Sequence, residues 1–355
     1  ACELFASANT PESSRAIVVR YPLDFSASVR RFLDAVNPTV VGLVELELWP
    51  NFIKECGRRC IPVTVINGRL SARSFKGYSR FRALLSPTFA SLHTAAVQDM
   101  TYAQRFMAMG VPADRCIMTG SMKWDSARIE DATPGADALA REMGIDPNIP
   151  LIVAGSTGPG EEELLHRSCM PGMQLLCAPR KPERFDEAAA ALPGCIRRSV
   201  SSSTSMPSKQ APVAPGLEGA GSRAVTSPGR FLLDTIGELR MAYSLADVVV
   251  VGRSFLTLYG SDPIEPIALG KATVIGPRVS DFQTIVEAFE QASGIVRTNP
   301  EELASVLADL VNSPSRRADL ARHGRACILD NQGATRRHAD LLLKLARASS
   351  VQAEP

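Results

Sequence analysis

The stretch DVVVVGRSFLTLYGSDPIEPIALG, residues 247–270, has the pattern that decides the fold. A β-branched run ends at Gly252, a Gly-Ser-Asp-Pro cluster follows, and an apolar helical pattern closes the stretch, which predicts strand, turn and helix. Pro263 and Pro266 fit the first turn of that helix, where their missing N–H groups would have no partner anyway. Ligands bind at the carboxyl ends of parallel strands, so Glu265 could accept hydrogen bonds from two vicinal ribose hydroxyls. The alternative is an acid placed there only by the helix dipole.

The same alternation of strand and helix patterns runs along most of the chain. The first half predicts strands at 16–21, 39–45, 61–67, 94–98 and 116–120. The second half predicts strands at 151–156, 173–179, 231–234, 247–252, 272–276 and 294–297. Amphipathic segments between them predict helices, including 26–36, 71–85, 100–110, 161–170, 299–312, 316–331 and 334–348. Apolar strands separated by helices are typical of parallel sheets covered on both faces. We therefore predict an α/β fold of two Rossmann-like, doubly wound domains facing a cleft.

Three domain segments follow from this pattern. The domains are predicted at 1–140 and 141–330, and a C-terminal helix and tail at 331–355. A run rich in Ser, Pro, Gly and Ala at 199–229 predicts a disordered surface insertion. Residues 1–13 look like the frayed tail of a helix, so we expect the sequence to begin part-way into its first domain.

Composition excludes several classes of function. The chain has 355 residues, of which 45% are hydrophobic and 21% charged, as in a soluble globular protein large enough for two domains. A net charge of +2 gives no general case for nucleic-acid binding. Eight scattered cysteines without a CxxC pair, and four scattered histidines, argue against a protein metal site and for a reducing compartment.

Three strand ends in the second half are candidates for binding. The turn at 156–160 could direct its backbone N–H groups at an anion, although an ordinary strand-to-helix turn explains it equally well. Arg180, after Pro179, could make a bidentate phosphate contact, or belong to an exposed basic loop. The segment 234–238 has a capping-box-like arrangement of Thr235 and Glu238, whose alternative is simply a well-capped helix.

A strand end in the first half also carries unexpected charge. Glu45 and Glu47 close an apolar run just before a Trp-Pro step, and an acid in such a run is costly unless it has a partner or a task. Lys123, at another strand end, could be that partner. The alternative is a structural ion pair, which is usually a weak source of stability.

Together these motifs closely resemble the 3-deoxy-D-manno-octulosonic acid (Kdo) transferase family of lipid A biosynthesis, which has the GT-B glycosyltransferase fold. The matching segments occur in order from about residue 16 to the C-terminus, broken only by the Ser/Pro-rich insertion. They are VELELWPNFI (44–53), INGRLSARSFKGY (66–78), MTGSMKWD (118–125), AGSTGPGEEE (154–163), APRKPERFDE (178–187), LLDTIGELRMAYSLADVVVVG (232–252), DPIEPIALGK (262–271) and DNQGA (330–334).

The resemblance implies inverting transfer of Kdo from CMP-Kdo to the hydroxyl of a lipid A precursor (lipid IVA), with no metal and no further cofactor. The first domain would serve the acceptor and the second the donor. Glu45 or Glu47, with Lys123, would lie near the reacting sugar. Without a divalent ion, Arg180 and helix N-termini would have to neutralise the leaving phosphate. The residues implied to hold the CMP moiety are Pro179, Arg180, Ile236, Gly237, Glu238, Asp262, Pro263, Ile264 and Glu265.

The sequence also departs from the family pattern. The family's Gly-Glu general-base motif and its N-terminal membrane anchor are not matched in this sequence. Gly158 and Lys181 stand where the family usually has histidine, Arg253 stands where it has glycine, and the segment 259–262 replaces a Gly-Gly-His-Asn run. These differences keep a second hypothesis open, a non-catalytic remnant that binds a cytidine nucleotide or a lipid. A sugar-nucleotide epimerase of the same fold is a weaker third.

A cluster of positive charge suggests where the acceptor binds. Between residues 54 and 82 there are eight basic residues and one acid, a local charge of +7. Such a patch suits an anionic membrane surface or a phosphorylated lipid, and a solvated helix face is the equal alternative. Together with the lipid acceptor that the resemblance implies, this leads us to expect a peripheral position on the cytoplasmic face of the bacterial inner membrane.

Overall fold

The computed structural model describes residues 17–201 and 229–351. They belong to two compact units, one formed by residues up to Asp125 together with those from Gln332 onward, and the other by Ser126–Asn331. The start of the chain, and most of the insertion predicted at 199–229, lie outside the described residues. No helix among the described residues is long and apolar enough to cross a membrane.

The first unit contains a sheet of four parallel strands in the order β1-β2-β3-β4. The strands are β1 (Val41–Val44), β2 (Val63–Gly68), β3 (Thr94–Val97) and β4 (Cys116–Met118). The helices are α1 (Ser26–Val36), α2 (Pro50–Arg58), α3 (Ala72–Ser79), α4 (Arg82–Ala90), α5 (Met100–Met109) and α15 (Ala334–Val351). Helix α1 has the predicted bounds, and it buries Val29 and Leu33, which lie one turn apart on its apolar face.

Two predictions for this unit were wrong. No strand forms at residues 17–21, although the segment is rich in β-branched residues, because it has no hydrogen-bonded neighbour among the described strands. Ile17 is 80% exposed there, so its side chain adds nothing to the core. The single helix predicted at 71–85 is the pair α3 and α4, which are separated by a turn at Arg80 and Phe81.

The second unit contains a sheet of seven parallel strands in the order β11-β10-β9-β5-β6-β8-β7. The strands are β5 (Leu151–Thr157), β6 (Gln174–Pro179), β7 (Ile196–Arg197), β8 (Arg230–Leu232), β9 (Val248–Val251), β10 (Ala272–Ile275) and β11 (Val296–Arg297). The helices are α6 (Ala136–Met143), α7 (Glu161–Ser168), α8 (Phe185–Ala191), α9 (Arg198–Ser201), α10 (Leu239–Leu245), α11 (Ile264–Ala268), α12 (Gln283–Gln291), α13 (Leu303–Asn312) and α14 (Pro314–Asn331). The short edge strand β7 was not predicted.

The unit boundaries differ from the predicted domains at both ends. Helix α6 crosses the predicted boundary at 140/141, yet all of it lies in the second unit, where it packs on α10 and buries Leu139 and Met143. Helix α15, predicted as a separate C-terminal segment, packs on β2 of the first unit. Its His338 Nε2 accepts a hydrogen bond from the Asn67 amide at 3.2 Å. Burial lowers the pKa of His338, which favours the neutral ring that this contact needs.

Candidate functional site

The strand order of the second unit creates a switch point between β5 and β9. From β5 the chain proceeds to β6 on one side, and β9 later starts the other side of the sheet. The loops that follow β5 and β9 therefore leave neighbouring strands at the same edge, which is where open α/β sheets bind ligands. A cavity of about 510 Å³, hereafter the switch-point cavity, lies there. Its lining includes Ser156, near the end of β5, and Arg253, from the loop after β9.

Four of the nine predicted nucleotide-binding residues line this cavity: Arg180, Asp262, Ile264 and Glu265. Arg180 follows Pro179, the last residue of β6, and its amide donates to the Thr157 carbonyl at 3.2 Å. Its guanidinium forms no ion pair within the described parts of the chain. The switch-point cavity is therefore lined by a guanidinium that forms no ion pair with a described carboxylate.

Helix α11 holds the predicted acid at the cavity. Pro263 is the N-cap residue, and Pro266 lies in the first turn, as predicted. The Asp262 carboxylate accepts the Ile264 amide at 3.0 Å, so one of its oxygens caps the helix. The Glu265 side chain is 43% exposed, and its Oε1 lies 3.4 Å from Nη1 of Arg240. Glu265 thus keeps acceptor capacity for a ligand.

The predicted segment 236–238 does not line the cavity. The Glu238 carboxylate accepts from Arg198 at 3.0 and 3.1 Å and also contacts the Thr235 hydroxyl. Burial opposes ionisation of Glu238, but the contacts with Arg198 and Thr235 outweigh it and lower the pKa. Ile236 and Gly237 precede α10, and the Ile236 side chain is exposed. The adjacent Leu239 and Arg240 line the cavity instead, a half-turn shift that the sequence pattern does not reveal.

The turn after β5 does not present all of its amides to an external anion. The buried Glu161 carboxylate accepts the Gly158 amide at 2.8 Å and the Arg253 amide at 2.6 Å through Oε2. Its Oε1 accepts the amides of Ser254 and Phe255, both at 2.9 Å. The chain's own glutamate therefore occupies part of the place that the sequence suggested for an anion. Glu161 fixes the two loops of the cavity relative to each other.

The next residue, Glu162, secures the same turn from the other side. It accepts the Thr157 hydroxyl at 2.6 Å, and Arg184 binds both of its oxygens at 3.0 and 2.9 Å. Burial alone would lower the pKa of Arg184, but its contacts with Glu162 and Glu187 raise it above the ordinary value. Sequence reasoning missed the roles of Glu161 and Glu162. The available signal was a run of three acids directly after a Gly-Pro-Gly turn.

The predicted catalytic residues lie in the first unit. Glu45 follows β1, and its backbone has φ 57°, in the left-handed region that residues other than glycine rarely adopt. Glu47 is exposed, and its Oε2 accepts from the Trp49 indole at 3.0 Å. Lys123 lies in the turn after β4. Because β1 and β4 are opposite edges of the sheet, their axes are about 14 Å apart.

The surface of α3 and α4 combines cations with large exposed apolar side chains. We refer to it as the α3–α4 surface, and it comprises Arg73, Lys76, Tyr78, Arg80, Phe81, Arg82 and Leu84. Phe81 is 64% exposed and Leu84 is 76% exposed. Elsewhere in the predicted basic cluster, Arg58 pairs with Glu55 at 2.6 Å and Arg59 with Asp34 at 2.8 Å. Of the other six cations in this cluster, four lie on the α3–α4 surface: Arg73, Lys76, Arg80 and Arg82.

Within the described residues there is no group of three or more His, Cys, Asp or Glu side chains that could hold a metal ion.

Comparisons with known proteins agree with the motifs and the fold. Residues 3–126 match the family model described as 3-deoxy-D-manno-octulosonic-acid transferase (kdotransferase). A transferase of that name from Haemophilus influenzae is 30% identical, over 90% of this chain and 73% of its own length. The transferase of the same name from Bordetella pertussis is 31% identical, over 90% of this chain and 72% of its own length.

Two solved structures with low sequence identity to this chain have the same fold. HepE from Anabaena, in complex with UDP, has a TM-score of 0.60 at 11% identity, covering 90% of this chain and 82% of its own. A glycosyltransferase from Rickettsia africae has a TM-score of 0.57 at 10% identity, covering 90% of this chain and 80% of its own. The predicted GT-B class, with two parallel-sheet domains, is thereby confirmed. On the sequence relationships, the chain belongs to the 3-deoxy-D-manno-octulosonic acid (Kdo) transferase family.

Proposed function

We propose that the chain transfers Kdo from CMP-Kdo to a lipid A precursor, lipid IVA, and that the switch-point cavity binds the CMP moiety. The observation that carries this proposal is the convergence of Arg180 and Glu265 on one cavity. Arg180 would contact the phosphate, and Glu265 would accept hydrogen bonds from the ribose hydroxyls. Ile236 and Gly237 lie just outside the lining of this cavity, before α10, and would contact the part of the base that extends beyond it.

The reaction would be an inverting displacement without a divalent ion. The bond between the sugar's anomeric carbon and the phosphate oxygen breaks, a new bond to the acceptor oxygen forms on the opposite face, and CMP leaves with the bonding electrons. The acceptor hydroxyl loses its proton to a carboxylate. Guanidinium groups that are fixed in place can stabilise the charge that develops on the leaving phosphate.

As the family resemblance implies, Glu45 and Lys123 would act on the reacting sugar. Glu45 is the better candidate of the two predicted acids, because Glu47 already accepts from the Trp49 indole. The unusual backbone of Glu45 supports a functional role, since strained residues persist where the surroundings hold them for a task. Lys123 would supply positive charge near the sugar.

The acceptor would approach from a membrane. A cationic surface with exposed Phe81 and Leu84 suits an anionic bilayer and the phosphates of a lipid A precursor. This supports a peripheral position on the cytoplasmic face of the bacterial inner membrane, with the α3–α4 surface in contact with lipid.

Calorimetry with CMP, followed by a transfer assay with CMP-Kdo and lipid IVA, tests the proposal. The unchanged protein should bind CMP, and Glu265→Ala should weaken binding by about tenfold, as expected from losing hydrogen bonds to a charged acceptor. Equal affinity would remove Glu265 from the ribose site. CMP binding without any transfer would favour the second hypothesis, a non-catalytic nucleotide-binding protein of this family.

A further inference from the structure

Arg253 occupies a backbone position that would suit glycine better. It follows Gly252 at the end of β9 with φ 58°, in the left-handed region. Glu161 holds this conformation by accepting the Arg253 amide at 2.6 Å and the amides of the two residues after it. Because the fold keeps an arginine where a glycine would be less strained, the side chain itself needs an explanation.

The Arg253 side chain lies between two cavities. It lines the switch-point cavity, and it also lines a second cavity of about 510 Å³ together with Gly158 and Leu258. A Cβ atom added at Gly158 would lie 3.5 Å from Cγ of Arg253, so the stem of the arginine passes over this glycine. Arg180 is the other residue that lines both cavities.

The charges around the second cavity leave these two arginines without counterions. Lys181 has Glu183 at 3.6 Å, and Arg184 is bound by buried Glu162. Neither Arg180 nor Arg253 forms a side-chain ion pair in the parts of the chain that the structure describes. Two guanidinium groups without a described ion-pair partner therefore line both cavities, and they could bind two anionic groups.

A CMP-linked ulosonic acid has two such groups close together. Its phosphodiester carries one negative charge, and its sugar carries a carboxylate whose carbon is attached to the anomeric carbon that bears the phosphate. A guanidinium matches a carboxylate with two parallel hydrogen bonds. A neutral sugar would leave one of the two arginines unpaired.

We propose that Arg253 binds the carboxylate of the donor sugar, beside the phosphate at Arg180, and thereby selects an acidic sugar. The sugar then enters the second cavity, while the nucleoside stays in the switch-point cavity. This assignment rests on the proposed function, because it requires the donor's phosphate at Arg180.

Calorimetry with two ligands, CMP and freshly prepared CMP-Kdo, tests the assignment. Arg253→Gln should weaken binding of CMP-Kdo by about tenfold to a hundredfold, the loss expected of one charge-assisted contact, and should weaken binding of CMP much less, because CMP lacks the sugar carboxylate. Arg253→Lys should recover part of that affinity, because lysine keeps the positive charge but lacks the planar guanidinium that makes two parallel hydrogen bonds. Arg253→Gly relieves the left-handed backbone, so a selective loss in this variant cannot come from misfolding.

Arg322→Gln is the matched control, because it removes one exposed arginine from α14 of the same unit. It should bind both ligands as the unchanged protein does. Equal weakening of CMP and CMP-Kdo by Arg253→Gln would overturn the assignment, as would no weakening of either. Failure of the unchanged protein to bind either ligand would instead remove the proposed function, and this inference with it.

Discussion

The Glu161 carboxylate accepts the Ser254 amide at 2.9 Å, which connects the start of α7 to the loop after β9. The two residues are 93 positions apart in the chain. Since Glu161 is buried and accepts four backbone amides in all, it supports both walls of the switch-point cavity.

Glu161→Gln should destabilise the second unit strongly. The amide nitrogen of glutamine donates, so it would face backbone N–H groups and leave buried donors unpaired, at a cost of roughly 3 kcal/mol. Urea unfolding would measure the change in the free energy of unfolding. Glu163→Gln is the control, because Glu163 is 64% exposed on the same helix and its ion pair with Arg167 at 3.6 Å is a surface contact that contributes little stability. Equal stability of the two variants would contradict the role of Glu161.

Asp234 should make stability depend on pH in the acid range. Its carboxylate accepts from the Ser199 amide at 2.8 Å and from Arg197 at 2.7 Å. Burial opposes ionisation, but the contacts with Ser199 and Arg197 outweigh it and lower the pKa of Asp234. A carboxyl group with a lowered folded-state pKa stabilises the fold above its unfolded pKa of about 4 and loses that contribution as the pH falls through the folded value.

Asp234→Asn should therefore lower the free energy of unfolding by about 2 kcal/mol near pH 7, and the difference should shrink below about pH 4. Urea titrations across this range would measure it. Asp186 contacts the same Arg197 but is 91% exposed, so Asp186→Asn should have little effect. If the difference in unfolding free energy between Asp234→Asn and the unchanged protein grew towards acid pH, folding would raise the pKa of Asp234 instead of lowering it.

Glu45 should matter more for transfer than Glu47. If Glu45 stabilises the transition state, Glu45→Gln should lower kcat by about a hundredfold with little change in KM. Glu47→Gln should lose mainly the contact with the Trp49 indole and keep most of the activity. Steady-state transfer kinetics on both variants would decide, and a reversed order would assign the chemistry to Glu47.

The α3–α4 surface should bind anionic vesicles. Each cation close to such a surface contributes about 1 kcal/mol to binding. The double variant Arg73→Glu with Lys76→Glu should therefore lower the affinity for anionic vesicles, measured by co-sedimentation, by at least about a hundredfold. The control with the same charge change is Arg336→Glu with Lys344→Glu, at exposed positions on α15 of the same unit. Unchanged binding by the first double variant would refute the role of this surface.

Local patterns in the sequence were enough to predict most strands, the bounds of α1 and the doubly wound fold. They also brought Arg180 and Glu265 to one site, because residues at the carboxyl ends of parallel strands share an edge. They could not predict that Glu161 accepts the Arg253 amide, since that contact joins positions 92 apart. They also failed at residues 17–21, where β-propensity had no pairing partner to act with.

Helix α15 belongs to the first unit, although the whole second unit precedes it in the chain. During synthesis, the Asn67 amide must therefore wait for His338 until the ribosome has made everything between them. The second unit is contiguous and can mature first. The strands of the first unit are synthesised before the second unit, but their packing against α15 can be completed only after the second unit has been made.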